Sequence, residues 1–173
     1  MNQNLTIIKD NTTIPPLENG DRLTRCEFET RYEKMPYLKK AELIEGIVYM
    51  ASPLRIEQYG EPHAHIIGWL VQYEAMTPNV QSGDNCTVIL DDKNEPQPDA
   101  LLRIKEGGQS KINEKGYIEG SPELIVEISA STVSIDSHDK QKVYQSHQVQ
   151  EYIVWRVYDQ EIDWFRLKDD ILN

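Results

Sequence analysis

The chain has 173 residues, enough for one domain with a sizeable core, and its 39% apolar content is ordinary for a globular protein. Twenty-nine acidic against eighteen basic residues leave a net charge of −11, which excludes nucleic-acid binding through an extended basic surface. Any such binding needs a local basic patch, or divalent cations to offset phosphate repulsion. No apolar run approaches the roughly 20 residues of a membrane span, and no basic start precedes a long apolar stretch. A cytoplasmic protein with Cys26 and Cys86 reduced is therefore expected.

Residues 1–21 are polar, with Pro15-Pro16 and Asn19-Gly20, and read as a flexible arm ahead of a single domain over 22–173. Thr24 and Glu27 form a Thr-x-x-Glu capping box that predicts a short helix ending before Pro36. The stretch Ala41 to Ser52 reads as two strands joined around Glu45-Gly46 and stopped by Pro53. Glu61 to Met76 reads as a helix with Pro62 in its first turn and His63, Ile66, Ile67 and Leu70 on one stripe. Val80 to Leu90 ends in a strand, Asp91 to Asn94 is its turn, and a second strand begins at Asp99.

Gly107 to Gly120 is a polar, glycine-rich connection, expected to be exposed and mobile. The strand Glu123 to Ser129, a Ser/Thr-rich bend over 129–134 and a helix of about three turns from Asp136 follow. Glu151–Val157 and Glu161–Leu167 read as a closing hairpin around Asp159-Gln160. The order of elements predicts an α+β, mixed α/β domain.

Two short apolar runs each carry one acid. Asp99 opens Asp99-Ala-Leu-Leu-Arg-Ile104, and Glu127 sits near the end of the second run. A carboxylate in a buried strand costs several kcal/mol unless something pairs it. Two such acids on neighbouring strands supply hard oxygen donors suited to Mg²⁺ or Mn²⁺. At 100° per residue, Asp136, Lys140, Val143, Tyr144 and His147 share one stripe of the last helix, which aims Lys140 at the sheet and Lys142 at solvent. Taken singly, each acid is more simply read as a structural partner of an Arg or a turn cap, and Lys140 as a snorkelling or locally paired lysine. Glu45, at a strand turn, is a candidate third acid, with an exposed turn acid the simpler reading. His63, on an apolar stripe, is a candidate acid/base group, with a core histidine bonded to a carbonyl the simpler reading. The acidic cluster at 91–94 lacks the Gly and distal Glu of a calcium loop. No zinc spacing, phosphate loop or Gly-x-Ser-x-Gly turn is present.

Glu42-Leu-Ile-Glu-Gly-Ile-Val-Tyr-Met-Ala-Ser-Pro53, Gln97-Pro-Asp-Ala-Leu-Leu102, Pro122-Glu-Leu-Ile-Val-Glu-Ile-Ser129, Ser131-Thr132, Asp136…Lys140…Tyr144 and Glu151-Tyr-Ile-Val-Trp155 occur in that order. Over about residues 23–167 the chain resembles the Uma-type restriction-endonuclease family of the PD-(D/E)XK nuclease superfamily. The resemblance implies a restriction-endonuclease-like core, a curved sheet flanked by helices, with a metal held by Asp99 and Glu127. It implies Mg²⁺-dependent hydrolysis of phosphodiesters, DNA being the expected substrate, and a homodimer. The superfamily places a Lys two residues after the strand acid, where this chain has Ser129; the family pattern puts Lys140 in its stead, with Tyr144 as an accessory group. Ser129 and the net charge keep open a catalytically inactive nuclease-fold binding or assembly module. A metal-dependent hydrolase of a non-nucleic substrate also fits the acidity.

Overall fold

The computed structural model describes residues 14–50, 54–130 and 135–173, without the side chains of 135–137. Part of the expected arm (1–13), the Pro53 stop and most of the 129–134 bend lie outside the described residues. Within the rest of the expected arm, Leu17 is buried with Phe28, Met35 and Leu43, and the Gly20 amide donates to the Val48 carbonyl at 2.8 Å.

Helix α1 (Arg25–Tyr32) starts on the Thr24–Glu27 capping box, in which each side chain receives the other's backbone N–H. It packs Phe28 against the hairpin of β1 (Ala41–Ile44) and β2 (Ile47–Met50). The two-residue turn of that hairpin, Glu45 and Gly46, has positive φ at both positions (51° and 75°), the combination that suits the twist of a tight antiparallel hairpin. A π-helical turn, Ile56–Gly60, runs into helix α2 (Glu61–Met76), which carries proline in its first turn and buries Ile66 and Leu70.

The next strands are β3 (Val80–Asp84), β4 (Val88–Ile89) and β5 (Ala100–Ile104). They are followed by β6 (Ser110–Ile112), β7 (Ile118–Gly120) and β8 (Leu124–Ser129). The connection read as a mobile link is thus an antiparallel hairpin, β6–β7, with β4 pairing parallel to β7. Its anchor is Arg103: buried in β5, the guanidinium donates to the Ser110 hydroxyl (3.2 Å), the Ser110 carbonyl (2.9 Å) and Gln81 (2.8 Å). A second π-helical turn, Ile135–Lys140, leads into the short helix α3 (Gln141–Ser146), so the single α-helix expected from Asp136 begins with a widened turn. Strands β9 (Glu151–Arg156), β10 (Glu161–Lys168) and β11 (Ile171–Leu172) close the fold.

The main sheet has the order β11-β10-β9-β8-β5-β3, with β8 and β9 parallel and the other pairs antiparallel. All six residues of the central strand β8 are buried, as expected where both faces are covered. One face (Ala100, Leu102, Val126, Ile128, Ile153) packs on Ile66 and Leu70 of α2. The other (Leu101, Ile125, Tyr152, Val154) packs on Tyr144 of α3 and on Val88. The architecture is mixed α+β, with helices on both faces of a mostly antiparallel sheet.

Candidate active site

Two buried acids lie side by side at one end of the central strands. The β5–β8 register pairs Ala100 with Val126 and Leu101 with Ile125; carried one residue further it sets Asp99 across from Glu127. Glu127 alternates onto the Ile125 face of β8, and Asp99 immediately precedes β5. Asp99 is 3% exposed and Glu127 2%.

Each acid is met by two side chains four residues apart, offered by a π-turn/helix junction. At the α3 junction, Lys140 Nζ and the Tyr144 hydroxyl both donate to Glu127 Oε1 at 2.9 Å. At the α2 junction, the Tyr59 hydroxyl donates to Asp99 Oδ1 at 2.8 Å, and His63 stacks on the Tyr59 ring with its Nε2 3.1 Å from the Asp99 carbonyl. Four residues is close to one helical turn, which keeps both members of each pair on one side. His63 Nε2 also lies 3.0 Å from Asp84 Oδ1, at the rim.

A third buried acid completes the group. Glu42, in β1, accepts Lys140 Nζ at 2.9 Å and the Gln97 amide at 2.7 Å, both on Oε1. Lys40, two residues earlier and just ahead of β1, donates to Asp99 Oδ1 at 2.8 Å. The remaining Asp99 oxygen, Oδ2, accepts the Ile128 amide at 2.7 Å. Burial would raise the pKa of Asp99. The charge and hydrogen bond of Lys40, the Ile128 amide and the charge of Lys140 outweigh burial and hold it below the ordinary aspartate range. Burial likewise disfavours the Lys40 ammonium, but Glu42, Asp99 and Glu127 outweigh it and push its pKa up. Burial and the Asp99 carboxylate push the Tyr59 phenol up, which keeps it a hydrogen-bond donor.

The structure therefore brings together Asp99, Glu127, Lys140, Tyr144 and His63. Ser129 is buried on the Glu127 face, two residues further along the strand. Glu45 is not part of the group: it is exposed at the hairpin turn, where its amide donates to Asn94 Oδ1. The acid of that segment is Glu42, because strand alternation turns residue 42 inward and the turn exposes residue 45. Lys140 donates to Glu127 and Glu42 and its charge also acts on Asp99, while Asp99 Oδ1 receives the Lys40 ammonium directly. Lys142 is exposed, as its side of the helix requires.

Carboxylates alone, buried and adjacent, are hard oxygen donors, and Asp99, Glu127 and Glu42 fit Mg²⁺ or Mn²⁺ in chemistry. In this arrangement, among the described residues, no group of three or more His, Cys, Asp or Glu is drawn together tightly enough to hold a metal ion. Asp99 Oδ1 and Glu127 Oε1 face ammonium groups instead.

Comparisons with known proteins agree with the fold. The family described as "Putative restriction endonuclease" (Uma2) matches residues 27–172. Among solved structures, the chain is similar to a protein from Anabaena variabilis described as a "putative nuclease belonging to DUF820". The TM-score is 0.55 at 15% identity, covering 79% of this chain and 83% of that one, a likeness of fold. Among curated proteins, none matches significantly. Among the described residues, no helix is long and apolar enough to cross a membrane. With most of its length matched, from within α1 to β11, the chain belongs to the Uma2 family.

Proposed function

We propose that the protein is a divalent-cation-dependent nuclease that hydrolyses phosphodiester bonds, with DNA as its substrate. One observation carries the reading: Asp99, Glu127 and Glu42, all buried, gather with Lys140 at the end of the central strands. Buried charges are expensive to maintain, and a fold needs no such cluster for stability; a well-packed apolar core would serve as well.

Asp99 and Glu127 would hold Mg²⁺ or Mn²⁺, which when bound polarises the phosphate and lowers the pKa of a water. Lys140, fixed between Glu42 and Glu127, presents a positive charge to the site, where it stabilises negative charge developing on the phosphate. Tyr144 fixes Glu127 Oε1, and the Gln97 amide fixes Glu42 Oε1. Ser129 stands where the superfamily has lysine, and Lys140 supplies that ammonium from the helix.

We further infer a homodimer. Trp164 and Ile162 of β10 and Trp69 of α2 are about half-exposed on one face, with the two indoles edge-on at 5.9 Å. Such a contiguous apolar face suits a second copy.

The test is Mn²⁺-dependent thermal stabilisation of the wild type and of Asp99→Asn. A ligand that binds only the native state raises the melting temperature. The reading expects a rise in the wild type and its loss in Asp99→Asn. An equal rise in both would remove Asp99 from the site. Stabilisation without cleavage of any DNA or RNA would favour the inactive binding module.

A further inference from the structure

We propose that Lys40 is an internal competitor for the divalent cation: its ammonium occupies the cation's place at Asp99, and metal binding displaces it. This rests on the reading of Asp99 and Glu127 as metal ligands.

The two lysines of the cluster differ in how they are held. Lys140 Nζ is clamped between two carboxylates at 2.9 Å each, and its side chain is 4% exposed. Lys40 Nζ has one carboxylate at 2.8 Å and a long contact of 3.4 Å to Asn85 Oδ1, and its side chain is 21% exposed. Lys40 is therefore the cation nearer solvent and the more weakly tethered. Asn85, bonded to the half-exposed Asp84, offers the ammonium a place to go at the rim.

Asp99 is divided between a fixed and an exchangeable oxygen. Oδ2 is held by a backbone amide of β8, which cannot leave without breaking the strand. Oδ1 carries two flexible side chains, Lys40 and Tyr59.

Charge favours exchange over addition. Glu42, Asp99 and Glu127 against Lys40 and Lys140 leave one negative charge. A divalent cation in place of Lys40 brings these groups to neutrality. The same cation added beside both lysines would leave a positive charge, with two like charges close together on Asp99. In a low-dielectric site that repulsion is severe.

The exchange predicts that Lys40 weakens metal binding. Mn²⁺ affinity measured by calorimetry should be at least tenfold tighter in Lys40→Met than in the wild type, and absent in Asp99→Asn. Lys40→Met leaves Asp99 without its ammonium and is open to misfolding, so a second measurement uses the wild type. Brief acylation with an amine-reactive ester, read by tandem mass spectrometry, should label Lys40 several-fold faster at saturating Mg²⁺ than without metal, with Lys140 protected in both. Equal Mn²⁺ affinity in wild type and Lys40→Met, or Lys40 labelling unchanged by Mg²⁺ that demonstrably binds, would overturn the exchange and leave the metal reading standing. Undiminished binding in Asp99→Asn would overturn the metal reading and the exchange with it.

Discussion

Lys140 Nζ lies 2.9 Å from Oε1 of Glu42, a residue 98 positions earlier in the chain, and equally close to Oε1 of Glu127. A single ammonium thus ties the N-terminal hairpin to the central strand. Removing it leaves two buried carboxylates without their shared cation. Lys140→Met should destabilise the metal-free protein by about 3–5 kcal/mol, whereas Lys142→Met, on the exposed side, should stay within about 0.5 kcal/mol. Urea unfolding of the two variants checks this; equal effects would place the wrong lysine in the cluster.

The tyrosines of the two junctions should behave alike. Tyr59→Phe and Tyr144→Phe each delete one hydrogen bond to a buried carboxylate, which is worth about 1.5–3 kcal/mol when the partner is charged. Neither ring leaves its packing, so the loss should appear in denaturant midpoint without a change in slope.

Away from the site, Glu95 makes stability depend on pH. Its backbone pairs with Leu43, its side chain is buried with Oε2 lacking a hydrogen-bond partner, and burial followed by the charge of Glu29 pushes its pKa up to about 8. An acid whose pKa is raised on folding binds its proton more tightly in the native state. Its contribution is present in full below about 4.5, the unfolded value, and is lost as pH rises toward 8. Glu95→Gln mimics the protonated form. It should stabilise the protein at pH 8 by on the order of 1–3 kcal/mol and make little difference at pH 4.5. Thermal unfolding across that range checks the sign; a variant less stable than wild type at pH 8 would contradict it.

The proposed dimer makes its own prediction. Trp164→Glu places a charge on the half-exposed indole face without touching the core. Light scattering at micromolar concentration should give twice the chain mass for the wild type and the chain mass for Trp164→Glu. A monomeric wild type would contradict the dimer.

What the sequence made legible follows from local physics. Asp99 and Glu127 stand out because an acid inside a short apolar strand needs a partner, and Lys140 because it shares a stripe with buried Val143 and Tyr144. Glu42 carries that same signal, an acid ahead of Leu43 and Ile44, but it stands beside a turn whose own acid, Glu45, is the more conspicuous in the sequence. Lys40 has no local signature: its partner Asp99 is 59 positions away, and only the placement of β1 against the Asp99 loop joins them. Tyr59 extends the stripe of His63, Ile66 and Leu70 back by four residues, but it precedes Glu61 and Pro62, where a helix start is the natural reading, and the π-helical turn carries it into register. The β6–β7 hairpin is hidden because its anchor, Arg103, lies in another strand.

Cleavage of phosphodiesters by the buried acid cluster is read most directly from the cleavage rate of supercoiled plasmid DNA with Mn²⁺. The wild type should nick and linearise the plasmid, stop when the metal is chelated, and lose about 100-fold or more of its rate in Glu127→Gln. Cleavage by Glu127→Gln at the wild-type rate, or cleavage unaffected by chelation, would contradict the account.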